Sequence, residues 1–140
     1  MSLPTLDNLV RIRQLKAEPG TQSEVDGLLR SGHARLTDAQ LKGLSLDSRF
    51  DLAYNAAHAF ALAALRWHGY RSENRYTVFQ CLEQTVKLPS EQWRILDQAH
   101  RKRNIAEYEG HLEVDLALVK AMIRVAQEVA SRVKAMGSVR

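Results

Sequence analysis

The stretch over residues 47–68, DSRFDLAYNAAHAFALAALRWH, decides the fold. Apolar residues cover most of the circumference of a helix drawn through it, and a helix that is apolar nearly all round is a buried one. Its many alanines allow neighbouring helices to approach closely. Asp47 or Ser48 is predicted to cap this helix, and Gly69 to end it. We therefore expect a central helix on which the other segments pack.

The residues after the central helix predict three more main helices. A polar loop over 69–75 leads to helices over 76–86, 89–108 and 112–136. The last helix would be about 37 Å long at 1.5 Å per residue. Its apolar stripe consists of Val114, Leu118, Met122, Val125, Val129, Val133 and Met136.

The first 46 residues predict short helices joined by turns. A helix over 6–16 is stopped at 18–20, a second over 21–29 is capped by Thr21 or Ser23 and closed by Gly32, and Thr37 with Gln40 forms a capping box for a third reaching residue 44. No segment shows the period-two alternation of a half-buried strand. The fold expected is all-α, an antiparallel up-and-down helical bundle of four main helices over 47–140, with 1–46 as a short-helix flank packed on it in a single domain.

Composition and the single cysteine limit the classes of function. A net charge of +4 permits an acidic partner but is a mild excess in 140 residues. Cys81 is the only cysteine, so no internal disulfide forms, and it is interpreted as a small core residue in a reducing cytoplasm. The N-terminus lacks the apolar region of a signal peptide, and the apolar run over 56–65 is too short to span a membrane. A cytoplasmic protein is expected.

The segment AHRKRNIAEYEG, residues 99–110, carries the functional hypothesis. On a wheel of about 100° per residue counted from Ile95, Arg103 falls at about 80°, inside the apolar arc. A charge that points into a core needs a partner. Glu107 is the local candidate, and the polar strip Asp51, Asn55 and His58 on the central helix is the long-range one.

Three further polar residues, His100, Asn104 and Tyr108, follow one another at intervals of four and form a ridge beside that arc. An inward arginine is often only a clamp between two helices. The other interpretation is an anion-facing cleft built on Arg103, Asn104 and Tyr108. The two are compatible, because a clamp arginine can also line a cleft.

At these residues the chain resembles the HEPN superfamily, helical bundles named for nucleotide binding in higher eukaryotes and prokaryotes. Arg103-Asn104-Ile105-Ala106-Glu107-Tyr108 is similar to the Arg-Asn-x-x-x-His type motif of that family, with tyrosine in place of histidine. The resemblance covers roughly residues 47–136. It implies a nucleotide- or RNA-binding protein, a composite cleft across a homodimer, and a toxin–antitoxin or nucleotidyltransferase partner.

The missing histidine bears on catalysis. The resemblance implies that arginine and histidine cleave RNA in ribonuclease members, but Tyr108, with an ordinary pKa near 10, is a poor base at neutral pH. His111 lies close by but beyond Gly110, and His100 precedes the arginine. We expect a binding protein without a cofactor, and keep two alternatives: a non-catalytic structural or interaction module, and a metal-independent ribonuclease.

Other patterns in the chain give weaker evidence of function. The five histidines have no HxxxH or CxxC spacing, so no metal site is expected, and no glycine-rich phosphate loop occurs. Basic residues at the 69–75 loop alternate with aromatic ones, a composition that suits single-stranded nucleic acid, although a solvated loop explains it as well. These residues are Arg66, Trp67, His68, Tyr70, Arg71, Arg75 and Tyr76.

Overall fold

The computed structural model describes residues 3–139 and confirms an all-α helical bundle. In chain order its elements are α1 (Pro4–Arg11), β1 (Lys16–Ala17), α2 (Gln22–Ala39), α3 (Leu46–Trp67), β2 (Tyr70–Arg71), α4 (Arg75–Gln80), α5 (Leu82–Thr85), α6 (Ser90–Glu109) and α7 (Leu116–Ala135). The four long helices are α2, α3, α6 and α7, with 18 to 22 residues each. Among the described helices, none combines the length and apolar character needed to cross a membrane.

Helix α3 is the buried centre of the bundle, as predicted. Phe50, Tyr54, Phe60 and Leu65 have no exposed surface, and the alanines between them are buried as well. The predicted cap was wrong: Ser45 caps the helix, and its hydroxyl accepts a hydrogen bond from the Ser48 backbone N–H at 3.1 Å. Ser45 satisfies one of the unpaired amides of the first turn, so the helix begins before Asp47.

The prediction of two short helices over 21–44 was also wrong, because residues 22–39 form one helix that packs along α3. Thr21 caps it as expected, accepting from the Glu24 N–H at 3.2 Å. Gly32 does not end the helix but allows it to approach Phe60: a Cβ at Gly32 would lie 2.4 Å from the ring. Thr37 lies inside the helix. Helix α2 is therefore one of the four long helices of the bundle, whereas the prediction had counted residues 76–86 as the fourth.

Gly32 offers a test of this packing. Gly32→Ala should lower the free energy of unfolding by about 1–2 kcal/mol, because the added methyl forces the Phe60 ring or the helix to shift. Gly27→Ala, in the same helix, meets only the flexible end of Arg30 at 3.8 Å and should stabilise by up to about 1 kcal/mol. Urea unfolding measures both. Equal effects at the two glycines would contradict a close α2–α3 contact.

A two-stranded antiparallel sheet joins the segments before α2 and after α3, with Lys16 opposite Arg71 and Ala17 opposite Tyr70. Two-residue strands are too short to give a period-two signal, so the sequence missed them. Strand β2 lies within the predicted polar loop, yet Tyr70 is buried and donates to Asp7 Oδ1 at 2.5 Å. Helix α1 ends earlier than predicted, because Arg13 turns the chain with φ 64°.

The remaining helices differ from the prediction at their ends. A turn at Cys81 splits the expected helix over 76–86 into α4 and α5, and residues on both sides of it are buried. Burial raises the pKa of the Cys81 thiol to about 12, as befits a core residue. Helix α6 ends at Gly110, with φ 73°. Helix α7 begins at Leu116 rather than 112, because Asp115 caps it by accepting from the Leu118 N–H at 2.8 Å.

Candidate functional site

Tyr54 of α3 is the centre of the candidate site. Its side chain is fully buried, and its hydroxyl lies 2.8 Å from His100 Nδ1 of α6. Burial, above all, raises the pKa of Tyr54, so its phenol is a neutral hydrogen-bonding group. A tyrosine in an otherwise apolar helix needs a partner for its hydroxyl, and this is the signal by which the sequence could have revealed it.

Two guanidinium groups lie against the Tyr54 ring. Arg103 of α6 is 5.0 Å from the ring centroid and Arg75 of α4 is 5.3 Å from it, distances at which a cation is attracted to an aromatic face. Arg75 also donates to Asn55 Oδ1 at 3.0 Å. Within residues 3–139 no carboxylate lies within 4.0 Å of Arg75. The site thus carries one arginine charge with no acidic partner.

Arg103 lies between two of the groups that were expected to meet it. Its Nε is 4.0 Å from Asp51 Oδ1 and its Nη1 is 3.7 Å from Glu107 Oε1. Its side chain is 33% exposed, so it lies at the margin of the core rather than inside it. Both carboxylate side chains are 64% exposed, and such long, solvated ion pairs contribute little to stability. An anion that carries more negative charge than a carboxylate could displace Asp51 and Glu107 from Arg103.

Two histidines beside these arginines are held neutral. Burial first, then repulsion by Arg75, Arg103 and His100, lowers the pKa of His58 to about 4. Burial also lowers the pKa of His100. Asn104 Nδ2 lies 3.3 Å from His100 Nε2, so the tautomer with the proton on Nδ1 satisfies both the Asn104 and Tyr54 contacts of His100.

The structure therefore brings together most of the site residues predicted from the sequence and leaves two apart. Asp51, Asn55, His58, His100, Arg103, Asn104 and Glu107 belong to the cluster around Tyr54. Tyr108 is 94% exposed, and His111 is an exposed residue beyond the helix. Sequence reasoning missed Tyr54 and assigned Arg75 to the loop.

The basic and aromatic residues of that loop are scattered. Arg66 is buried, Trp67 donates to Gly137 O at 3.1 Å, and His68 Nε2 lies 2.9 Å from Thr85 O. Tyr70 is also buried, whereas Arg71 and Tyr76 are exposed, so these residues do not form one continuous surface. Arg75 alone joins the Tyr54 cluster.

What the cluster can do chemically follows from its groups. Two arginines supply planar forks of N–H donors that match the oxygens of a phosphate, and the exposed Asn104 side chain adds an amide group beside Arg103. Across residues 3–139, no group of three or more His, Cys, Asp or Glu side chains is arranged to hold a metal ion. No family model matches the chain, and neither a curated protein nor a solved structure matches it.

Proposed function

We propose that the protein is a HEPN-like nucleotide- or RNA-binding protein that holds a phosphate group between Arg75 and Arg103. The observation that carries this proposal is the pair of guanidinium groups on one buried tyrosine ring, with no carboxylate within 4.0 Å of Arg75 in the described residues. Placing two like charges on one ring is unfavourable in the free protein, and an anion bound between them would relieve the repulsion.

Each motif residue has a role in this proposal. Arg103 contacts the phosphate, and Asn104, beside it on α6, hydrogen-bonds and orients the ligand. Tyr108 lies one turn further on and is 94% exposed, so its ring is free to stack on a base. Because tyrosine replaces the family's histidine, the proposed role is binding without catalysis.

A partner protein is part of the same proposal. Ile105 and Leu116 are large apolar side chains that are 53% and 41% exposed, at the end of α6 and the start of α7. Exposed apolar side chains of this size suit contact with another protein. We propose a second copy of this chain, or a nucleotidyltransferase or toxin–antitoxin partner in the cytoplasm, as the protein that covers them.

One observation favours the second candidate, a purely structural or interaction module. The contacts of Arg103 with Asp51 and Tyr54 tie α6 to α3, which is what a clamp arginine does. In that case, substitution of Arg103 changes stability, and no nucleotide or RNA shifts the melting temperature.

The test compares Arg103→Lys with Arg101→Lys. Lysine keeps the charge but loses the planar fork, so Arg103→Lys should weaken binding of a dinucleotide with a 5′-phosphate about tenfold. Arg101 is on the same helix, but its side chain is 73% exposed and pairs with Asp97, so Arg101→Lys should leave the affinity unchanged. Fluorescence anisotropy measures affinity, and thermal shift with and without ligand checks the fold.

Three outcomes decide among the functions. Equal affinity of the two lysine variants would remove the phosphate role of Arg103. The absence of binding to wild-type protein, together with a lower melting temperature for Arg103→Ala, would favour the structural module. Metal-independent cleavage of RNA that is lost on changing Arg103 or His111 would instead show that the protein is a ribonuclease.

A further inference from the structure

A cationic cleft of about 520 Å³ lies between the end of α1 and the β2–α4 connection. Its lining includes three cations, Arg13, Lys16 and Arg71, and one acid, Glu73. All three cationic residues are exposed. Neither the motif on α6 nor the cluster around Tyr54 includes any of them.

The cations of this cleft are poorly compensated within the protein. Lys16 and Arg71 are direct partners across the two-stranded sheet, so their side chains project from the same face. Like charges at directly opposite positions are destabilising. The Glu18 carboxylate lies 3.3 Å from Arg71, but the same Oε2 atom also lies 3.5 Å from Arg66. Arg66 has Glu24 as a second partner at 3.0 Å, whereas within residues 3–139 no carboxylate lies within 4.0 Å of Arg13 or Lys16, so these two charges could be neutralised by an anion.

This cationic cleft adjoins the cluster around Tyr54. Asn74 lines the cleft and caps α4 by accepting from the Thr77 N–H at 3.1 Å, and Arg75 is the next residue. Arg71 and Arg75 are four residues apart, so their Cα atoms are at most about 14 Å apart. A single strand of a few nucleotides is long enough to span that upper bound. The two positive regions are thus close enough to contact one chain of phosphates.

We propose that the ligand is a single-stranded nucleic acid rather than a free mononucleotide, with one phosphate at Arg75 and Arg103 and the adjoining strand in the cationic cleft. This inference rests on the proposed phosphate role of Arg75 and Arg103. A mononucleotide reaches only those two arginines. A longer strand also meets Arg13, Lys16 and Arg71, and each added phosphate contact releases counterions and strengthens the salt dependence.

The experiment varies ligand length and the cations of the cleft. Fluorescence anisotropy compares a 5′-phosphorylated dinucleotide with an oligonucleotide of about eight residues, as RNA and as DNA. The double variant Arg13→Asn with Lys16→Gln removes two charges, and asparagine tolerates the positive φ of residue 13. The double variant Lys120→Gln with Arg124→Gln removes two charges from exposed positions on α7 and is the matched control.

We expect the longer strand to bind at least tenfold more tightly than the dinucleotide. The Arg13 and Lys16 double variant should lose most of that gain and lower the salt slope by about 1.4, while dinucleotide affinity stays unchanged. Equal affinity for both lengths, or equal losses in the two double variants, would overturn the inference and leave the proposed function standing. Dinucleotide binding that is indifferent to Arg103→Lys would overturn the proposed function itself.

Discussion

Replacement of Arg66 by alanine is expected to lower the free energy of unfolding by about 3–5 kcal/mol. Arg66 is 2% exposed, and its guanidinium holds the segment before α2 against the end of α3. It pairs with Glu24 Oε2 at 3.0 Å and donates to Glu18 O at 2.8 Å and Pro19 O at 3.0 Å. Alanine would remove this donor from all three acceptors, and it would also remove the packing of a side chain that is itself almost wholly buried.

Arg71→Ala is the matched control for this prediction. Arg71 contacts the same Glu18 carboxylate, but its side chain is 51% exposed, so its loss should cost less than about 1 kcal/mol. Arg66→Lys should recover only part of the loss, because an ammonium group cannot reach the same acceptors in the geometry of the guanidinium fork. Urea unfolding at neutral pH measures all three variants. A small effect of Arg66→Ala would show that this contact network is dispensable.

The second large effect is the dependence of stability on pH through His58. The folded pKa of His58 is about 4, below the ordinary value of 6.5, so between these values the unfolded chain binds a proton that the folded chain does not. Stability is therefore full above pH 6.5 and falls as the pH drops towards 4. The complete pKa shift would correspond to a loss of about 3.4 kcal/mol in the free energy of unfolding. We expect a loss of about 2 kcal/mol, because the His58 ring is only half-buried.

His58→Gln removes this titrating group, so the stability of the variant should fall less between pH 7 and pH 4.5 than that of the wild type. The absolute stability of the variant does not matter, because the measured quantity is its change with pH. His111→Gln removes an exposed histidine and should follow the wild-type profile. Thermal unfolding across this pH range gives the comparison. Parallel profiles for His58→Gln and the wild type would contradict a neutral, repelled His58.

The proposed binding of a phosphate at Arg75 and Arg103 should couple to the protonation of His58. Arg75 and Arg103 are among the groups that lower the pKa of His58, and a phosphate between them would offset their repulsion. The bound state would then take up a proton more readily than the free state.

The helices that the sequence predicted well are those with a strong local signal. Helix α3 is apolar nearly all round, and the end of α6 has Gly110 at a left-handed position, so both could be read from neighbouring residues. The length of α2 could not be predicted from neighbouring residues. Gly32 looks like a helix end in the sequence, and only its contact with Phe60 explains why a glycine stands inside the helix. Two paired residues per strand leave no periodic trace of the sheet.

The sequence by itself determined the all-α bundle with α3 at its centre. It also placed Arg103 on the face of α6 that it shares with Glu107 and that is turned toward Asp51 of α3. Helical periodicity fixes these features, because residues three and four apart share a face wherever the helix lies. Only the tertiary structure decided that Tyr54 and Arg75 join Arg103, and that Arg66 is buried instead. Contacts between residues distant in the chain depend on how whole helices pack, and local patterns do not encode that packing.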